Sequence, residues 1–346
     1  MKNRSNYQTP SEFEPKTFLK SNQELTQIDG DRIRLAREAK QLSLAELADL
    51  TGTSIATVHR WETNSYPPDS KLKELSEALG YPESFFLGGK IITPFILSPN
   101  YRTTTTMGGK NKKTAEARAY IRYDQVLRIF KRWLDYRWGF EQHDPADYET
   151  PETIARIVRQ EWGIPRGPIP DLIKAIESKG ILVFLENFTD SELDGLSFCA
   201  PGHPPIIFLN SDRPGERIRF TLAHELGHVI MHKVENQCME EEADKFAAEF
   251  LMPEEDIYNQ LLNIDSYNLP NLKNYWKVSM QALVLRASRL QAISKQKYQT
   301  IYREMMYKKY KKNEPYPIPR ESPELPKVII ETIIGTTRIS LEKLAE

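Results

Sequence analysis

Apolar residues between Arg32 and Leu87 recur in short clusters at helical spacing. Ile33, Leu35 and Ala36 open the first cluster, Leu44, Leu47 and Ala48 mark the second, and Val58 and Trp61 mark the third. Leu72, Leu75 and Leu79 form a fourth, which Gly80 and Pro82 bring to an end. The pattern predicts a small five-helix bundle over 28–90. Before it, 1–27 is polar without a sustained period and reads as an arm or a short docking helix. After it, Ile92 to Lys113 contains Pro94, Pro99, four consecutive threonines and Gly108-Gly109. That composition interrupts regular structure, so 91–115 is expected to link two domains.

From Arg118 to Trp138 the chain is basic, aromatic and amphipathic, which predicts a long packing helix in preference to a nucleic-acid surface. Three strand-like runs follow, Ile181 to Leu185, Gly195 to Phe198 and Ile206 to Leu209, too few for a large sheet. Helices are expected at about 213–233 and 239–250, and further helical pattern from Pro253 to about 310. The end, from Asn313 to Glu346, holds five prolines before a last apolar stretch. The fold class is mainly α with a small β-sheet (α+β), with a second domain over 116–260 and a helical region and tail over 261–346.

Composition narrows this little. The 346 residues carry 47 Lys+Arg against 48 Asp+Glu, a net charge of −1, so no global field draws the protein to nucleic acid or membrane. Cys199 and Cys238 are the only cysteines, which excludes a disulfide framework and fits a reducing compartment. The polar start lacks the apolar core of a signal peptide, and no run approaches a membrane span. A cytoplasmic location is expected.

The chemistry concentrates in His224-Glu225-Leu226-Gly227-His228. On a helix, side chains four residues apart share a face with Cβ atoms about 5–6 Å apart, so His224 and His228 can share one ion. Glu225 points aside from both and is placed as a general base. A catalytic zinc needs a third protein ligand. His232 continues the spacing, but eight residues of helix put it roughly 12 Å along the axis from His224, too far to bind the same ion; it is expected to cap the helix or bond nearby backbone.

The next helix offers Glu240, Glu241 and Glu242. Its apolar stripe, Ala243, Phe246, Ala247, Phe250 and Leu251, selects among them. Glu240 falls about 50° from the stripe centre, Glu242 about 110° and Glu241 about 150°. Glu240 is therefore expected to face inward as a buried ligand, with Asp244 one turn on fixing a histidine tautomer. Cys238 is a competing thiol donor. One Zn2+ per chain is implied, and with it hydrolysis of a peptide bond. The strand Gly195, Leu196, Ser197 and Phe198 is expected to pair with an extended substrate by strand addition.

In the first domain, Ser43 caps one helix, Gly52 and Thr53 make a tight turn, and Ser54 caps a second helix carrying Thr57, His59 and Arg60. This is helix-turn-helix spacing, and Ser43, Thr53, Ser54, Thr57, His59 and Arg60 are the candidate DNA contacts. Arg32 to Leu87 holds seven Lys+Arg against eight acids, so the module lacks a strong electrostatic footprint.

Leu42 to Ala48, then Trp61-Glu62, Pro68 and Leu75-x-x-Ala78-Leu79-Gly80, resemble an XRE-type (Cro/C1-like) DNA-binding domain. The sequence departs from that pattern at Leu44, Ile55 and Ala56, where polar residues are usual. Phe220 to His228, with His232 and Glu240-x-x-Ala243-Asp244-x-Phe246-Ala247-Ala248-x-x-Leu251-Met252-Pro253, is similar to the ImmA/IrrE family of metallopeptidases. That similarity extends to Asn210-Ser211 and to Trp276-x-Val278-Ser279. It implies a zincin-like domain with His224, His228 and Glu240 as ligands and Glu225 as the catalytic acid/base. The implied activity is regulatory cleavage of a transcriptional repressor or a toxin-antitoxin partner, with DNA and a protein substrate as partners. A homodimer fits paired DNA half-sites, and no membrane is involved. The rival reading is a DNA-binding regulator or antitoxin whose peptidase fold acts as a sensor or partner surface.

Overall fold

The computed structural model describes residues 14–15, 28–63, 67, 69–91, 96–101, 109–135, 139–188, 193–200, 202–233, 236–310 and 313–337. Five helices form the first bundle: α1 Gly30–Ala39, α2 Leu44–Leu50, α3 Ile55–Thr63, α4 Leu72–Leu79 and α5 Glu83–Phe86. Local chemistry sets their starts. Asp29 caps α1, and Ser43 closes a capping box on α2, its hydroxyl accepting the Glu46 N–H while Glu46 accepts the Ser43 N–H. Gly52, at φ +61°, supplies the left-handed turn between α2 and α3. The apolar face of each helix meets in one core that includes Ile33, Leu47, Val58, Leu75 and Phe86.

Part of the expected linker forms regular structure. Ile96–Tyr101 forms β1, and α6 begins at Gly109 and runs to Trp133. Residues 92–95 and 102–108 of that stretch lie outside the described residues, as do Trp138, Pro68 and 338–346. Of the arm expected over 1–27, only Glu14–Pro15 is described, paired antiparallel with Leu134 and Asp135.

α6 is two-sided. Ala117 and Ile121 join the core of the first bundle, while Ala115, Ala119, Tyr123, Val126, Leu127 and Phe130 join a second core against the sheet. Its junction with α1 is polar and dry: Arg32 Nη2 meets Asp124 Oδ2 at 2.7 Å with both side chains 1% exposed. Arg32 also donates to the Gly89 carbonyl, and Arg128 donates to Asp124 and to the Gly88 carbonyl.

α7 Pro151–Glu161 and α8 Leu172–Glu177 lead into β2 Leu182–Glu186, β3 Leu193–Phe198 and β4 Ile206–Asn210. With β1 these make a four-stranded sheet of order β1-β3-β4-β2, in which only the β4–β2 pair is parallel. In β4, Ile206 and Phe208 face the α6 side while Ile207 and Leu209 face the opposite core, the period of two that a sheet covered on both faces requires.

α9 Gly215–Met231 and α10 Met239–Leu251 cover that second face, followed by α11 Glu254–Leu261, α12 Leu269–Trp276, α13 Met280–Arg289 and α14 Lys295–Tyr307. The boundary expected at 260/261 does not divide the packing: Leu269, Trp276, Leu283 and Met305 share one core with Leu222, Leu226 and Phe250. The chain then crosses back to α15 Leu325–Thr337, whose Leu325, Ile329 and Ile333 seal the α6 side of the sheet. Glu177 holds the start of α15 by accepting the N–H groups of Glu324 and Leu325 at 3.0 and 3.1 Å. Among the described residues no helix is long and apolar enough to cross a membrane.

Candidate metal centre

α9 is buried along nearly its whole length because it lies between the sheet and α10. Two glycines permit that closeness. A Cβ on Gly227 would sit 3.2 Å from Phe246 Cδ1 and 3.3 Å from Ala243 Cα on α10, and one on Gly195 would sit 2.7 Å from Thr221 Cγ2 of α9. Close contact between α9 and α10 is what lets carboxylates on the second helix reach histidines on the first.

His224 and His228 aim their Nε2 atoms at one point, 3.0 Å apart. Glu240 Oε2 stands 3.5 Å from His224 Nε2, and Glu240 Oε1 stands 3.4 Å from His228 Nε2. Tetrahedral zinc with bonds of about 2.0–2.1 Å spaces its donors about 3.3 Å apart; with one donor atom from each, the three side chains lie within 4.8 Å of one another, a set suited to a single ion. Cys238 is exposed and is not among the converging donors. Contrary to the burial expected of it, Glu240 has a side chain 51% exposed. It stands in the first turn of α10, so the carboxylate reaches the histidines from the rim, and its charge keeps contact with water on the other side.

Each histidine is held from behind. His224 Nδ1 bonds Asp244 Oδ1 at 2.9 Å, the tautomer-fixing contact expected from the spacing. His228 Nδ1 meets His232 Nδ1 at 2.9 Å, and His232 Nε2 meets Glu242 Oε2 at 3.0 Å. His232 is not among the converging donors; as expected it caps the helix end, its backbone N–H donating to the His228 carbonyl at 3.0 Å. It links Glu242 to a metal-site histidine. Sequence reasoning missed this Glu242–His232–His228 chain, although the continued four-residue spacing was a visible signal for it.

Burial would lower the His224 pKa, but Asp244 and Glu240 override it and raise it to about 9. At His228 burial prevails and lowers the pKa to about 4. Glu225 is fully buried, and burial pushes its carboxyl up to about 8 against the pull of His224. The Ser197 hydroxyl of β3 is near enough to lower that value but is not in hydrogen-bonding geometry. Among the described residues neither Glu225 oxygen, nor Ser197 Oγ, has a hydrogen-bond partner. An unpaired carboxylate buried beside three converging donors is costly unless it serves something that enters the site.

The strand expected to receive substrate, Gly195 to Phe198, is an inner strand. It pairs with β4 on one side and with β1 on the other, Ile96 opposite Phe198 and Asn100 opposite Gly195. Strand addition there requires β1 to leave. The β1 pairing is the irregular one, with two register shifts and a proline at position 99, because a proline nitrogen cannot donate to the ladder.

The proposed DNA-contact residues divide in two. Ser43 and Ser54 are exposed but spend their hydroxyls locally, Ser54 Oγ on the Thr57 N–H and the Thr57 hydroxyl. Thr53 and Thr57 are partly covered, whereas His59 and Arg60 face solvent from α3. Two cations of the module are not available at the surface: Arg32 is buried at α6, and Arg37 makes a bidentate pair with Glu62.

Two histidines of a His-Glu-x-x-His helix meeting one carboxylate of the next helix, preceded by a helix-turn-helix bundle, define the class: a metallopeptidase-type domain joined to a DNA-binding-type module. Residues 176–288 match the peptidase family described as IrrE N-terminal-like domain, and residues 33–86 match the family described as helix-turn-helix. No curated protein matches the chain. Among solved structures, ComR from S.thermophilus, in complex with DNA and its signalling peptide ComS, aligns over 89% of this chain and 98% of its own. The identity is 12% and the TM-score 0.18, too low to establish a common arrangement.

Proposed function

We propose that this protein is a regulatory zinc endopeptidase directed to DNA by its first domain, with a specific protein as substrate, a transcriptional repressor or a toxin-antitoxin partner. The carrying observation is the convergence of His224, His228 and Glu240, with one donor atom from each within 4.8 Å of the others, beside the unpaired, buried Glu225.

His224 Nε2, His228 Nε2 and a Glu240 oxygen would hold the ion. Zinc, when bound, acidifies water and polarises a carbonyl. Glu225 takes the proton of the attacking water and returns it to the leaving amine, a role suited to a buried carboxyl beside the converging donors whose oxygens no described residue engages. Asp244 holds His224, and His232 with Glu242 holds His228, so both imidazoles present Nε2. Because Glu240 is exposed, one side of the centre is open to an arriving chain.

Glu225→Gln tests the reading. The variant should bind zinc like the wild type, because Glu225 is not among the converging donors, and should lose cleavage of the cognate protein by at least two orders of magnitude. A variant with full biological function would instead assign the fold a sensing or partner-binding role.

A further inference from the structure

The outward stripe of α3 is Ile55, Ala56, His59, Arg60 and Thr63, all exposed, while Val58, Trp61 and Glu62 face the core. Its N-terminal end is apolar. Ile55 is 52% exposed and spends no polar atom there, and Ser54, which could offer a hydroxyl, is engaged in capping. A single exposed isoleucine means little, but Ile55 and Ala56 occupy the end of the second helix of the motif. In helix-turn-helix docking that end reaches base edges in the major groove.

Groove chemistry then limits what these two residues can read. They carry neither donor nor acceptor, so they cannot select the polar edges of guanine, adenine or cytosine. The one apolar group in the major groove is the 5-methyl of thymine. Arg60, four residues beyond Ala56 on the same stripe, supplies a cation alongside. It is tied only to Thr57, at 3.3 Å, a contact weak enough to exchange for DNA.

We propose that Ile55 and Ala56 read thymine methyl groups, so that sequence selection by this domain rests on apolar contact at one or two thymines in each half-site. The proposal rests on the reading of residues 33–86 as a DNA-binding module. It also accounts for a module without excess positive charge: methyl contacts contribute affinity that salt does not screen.

Duplexes selected by the full-length protein from a random pool provide the probe, and each thymine in the selected site is then replaced singly by deoxyuridine, which pairs identically but lacks the methyl. At one or two positions per half-site the wild type should bind about fourfold more weakly per methyl removed. Ile55→Gln should erase that thymine-uracil difference at one of those positions. Its melting temperature should be unchanged, since the side chain is outside the core. If a sequence is selected but deoxyuridine is tolerated everywhere, the methyl reading is overturned while the DNA-binding reading stands. If no sequence is selected and no duplex binds, both fall, and the apolar end of α3 belongs to a protein interface.

Discussion

Asp244→Ala isolates the contribution of the group behind His224, the first of the proposed ligands. The substitution removes a carboxylate 2.9 Å from His224 Nδ1 and leaves all three donors in place. Loss of such a partner weakens metal binding by about 10–100-fold, or about 1.4–2.7 kcal/mol. The structure selects the lower end of that range. His224 itself is 2% exposed, but the Asp244 side chain is 38% exposed, so water can enter the vacated space and recover part of the bond. A loss of about tenfold in zinc affinity is expected. Asp244→Asn keeps a neutral acceptor, roughly half as strong as the charged one, and should lose only about threefold. Titration against a chromophoric zinc chelator measures both, with Glu240→Ala as the ligand-loss reference. Two results would refute the reasoning: affinity within twofold of wild type for Asp244→Ala, or a loss equal to that of Glu240→Ala, which would make Asp244 a ligand.

Other perturbations test the frame around the site. Glu177 has a folded-state pKa raised to about 7 by burial, so its contribution to stability is complete below about pH 4.5 and is lost as pH rises through 7. Against Glu177→Gln, a neutral near-isostere, the wild type should lose roughly 3 kcal/mol between those limits in urea unfolding, and a flat difference would contradict the assignment. Asp124→Ala strands the buried Arg32 and should cost about 3–5 kcal/mol, visible in calorimetry as earlier melting of the first bundle; unchanged melting would mean that Arg32 finds other partners. Gly227→Ala places a methyl 3.2–3.4 Å from Phe246 and Ala243, and the expected result is about 1–3 kcal/mol of destabilisation together with weaker zinc binding, as α10 is pushed off α9. Destabilisation without any change in zinc affinity would show that Glu240 does not depend on that approach.

Local pattern was enough to locate the helix bearing His224 and His228, the capped helices of the first bundle and the strands around 182–210, because each depends on residues within a few turns of one another. The choice of Glu240 and Asp244 also followed from helical phase within α10. Glu240 does face the histidines but is half exposed, since phase describes direction and not how far an adjacent helix extends to cover a residue.

What tertiary structure alone decided are the relations between distant segments. Ile96–Tyr101, with Pro99 in its middle and polar neighbours, has no strand period of its own, and it becomes β1 because β3 offers it an edge. Sequence likewise could not show that α6 divides its faces between two cores, or that Glu177 anchors a helix starting nearly 150 residues later. His232 is the sharpest instance at the site. α9 ends at Met231 and His232 leaves it in extended backbone, and its bond to Glu242 depends on where α10 lies, which packing across Gly227 determines. Donor types and their spacing along a helix are encoded locally; the approach of the second helix, which turns two histidines into a three-donor centre, exists only once the core has formed.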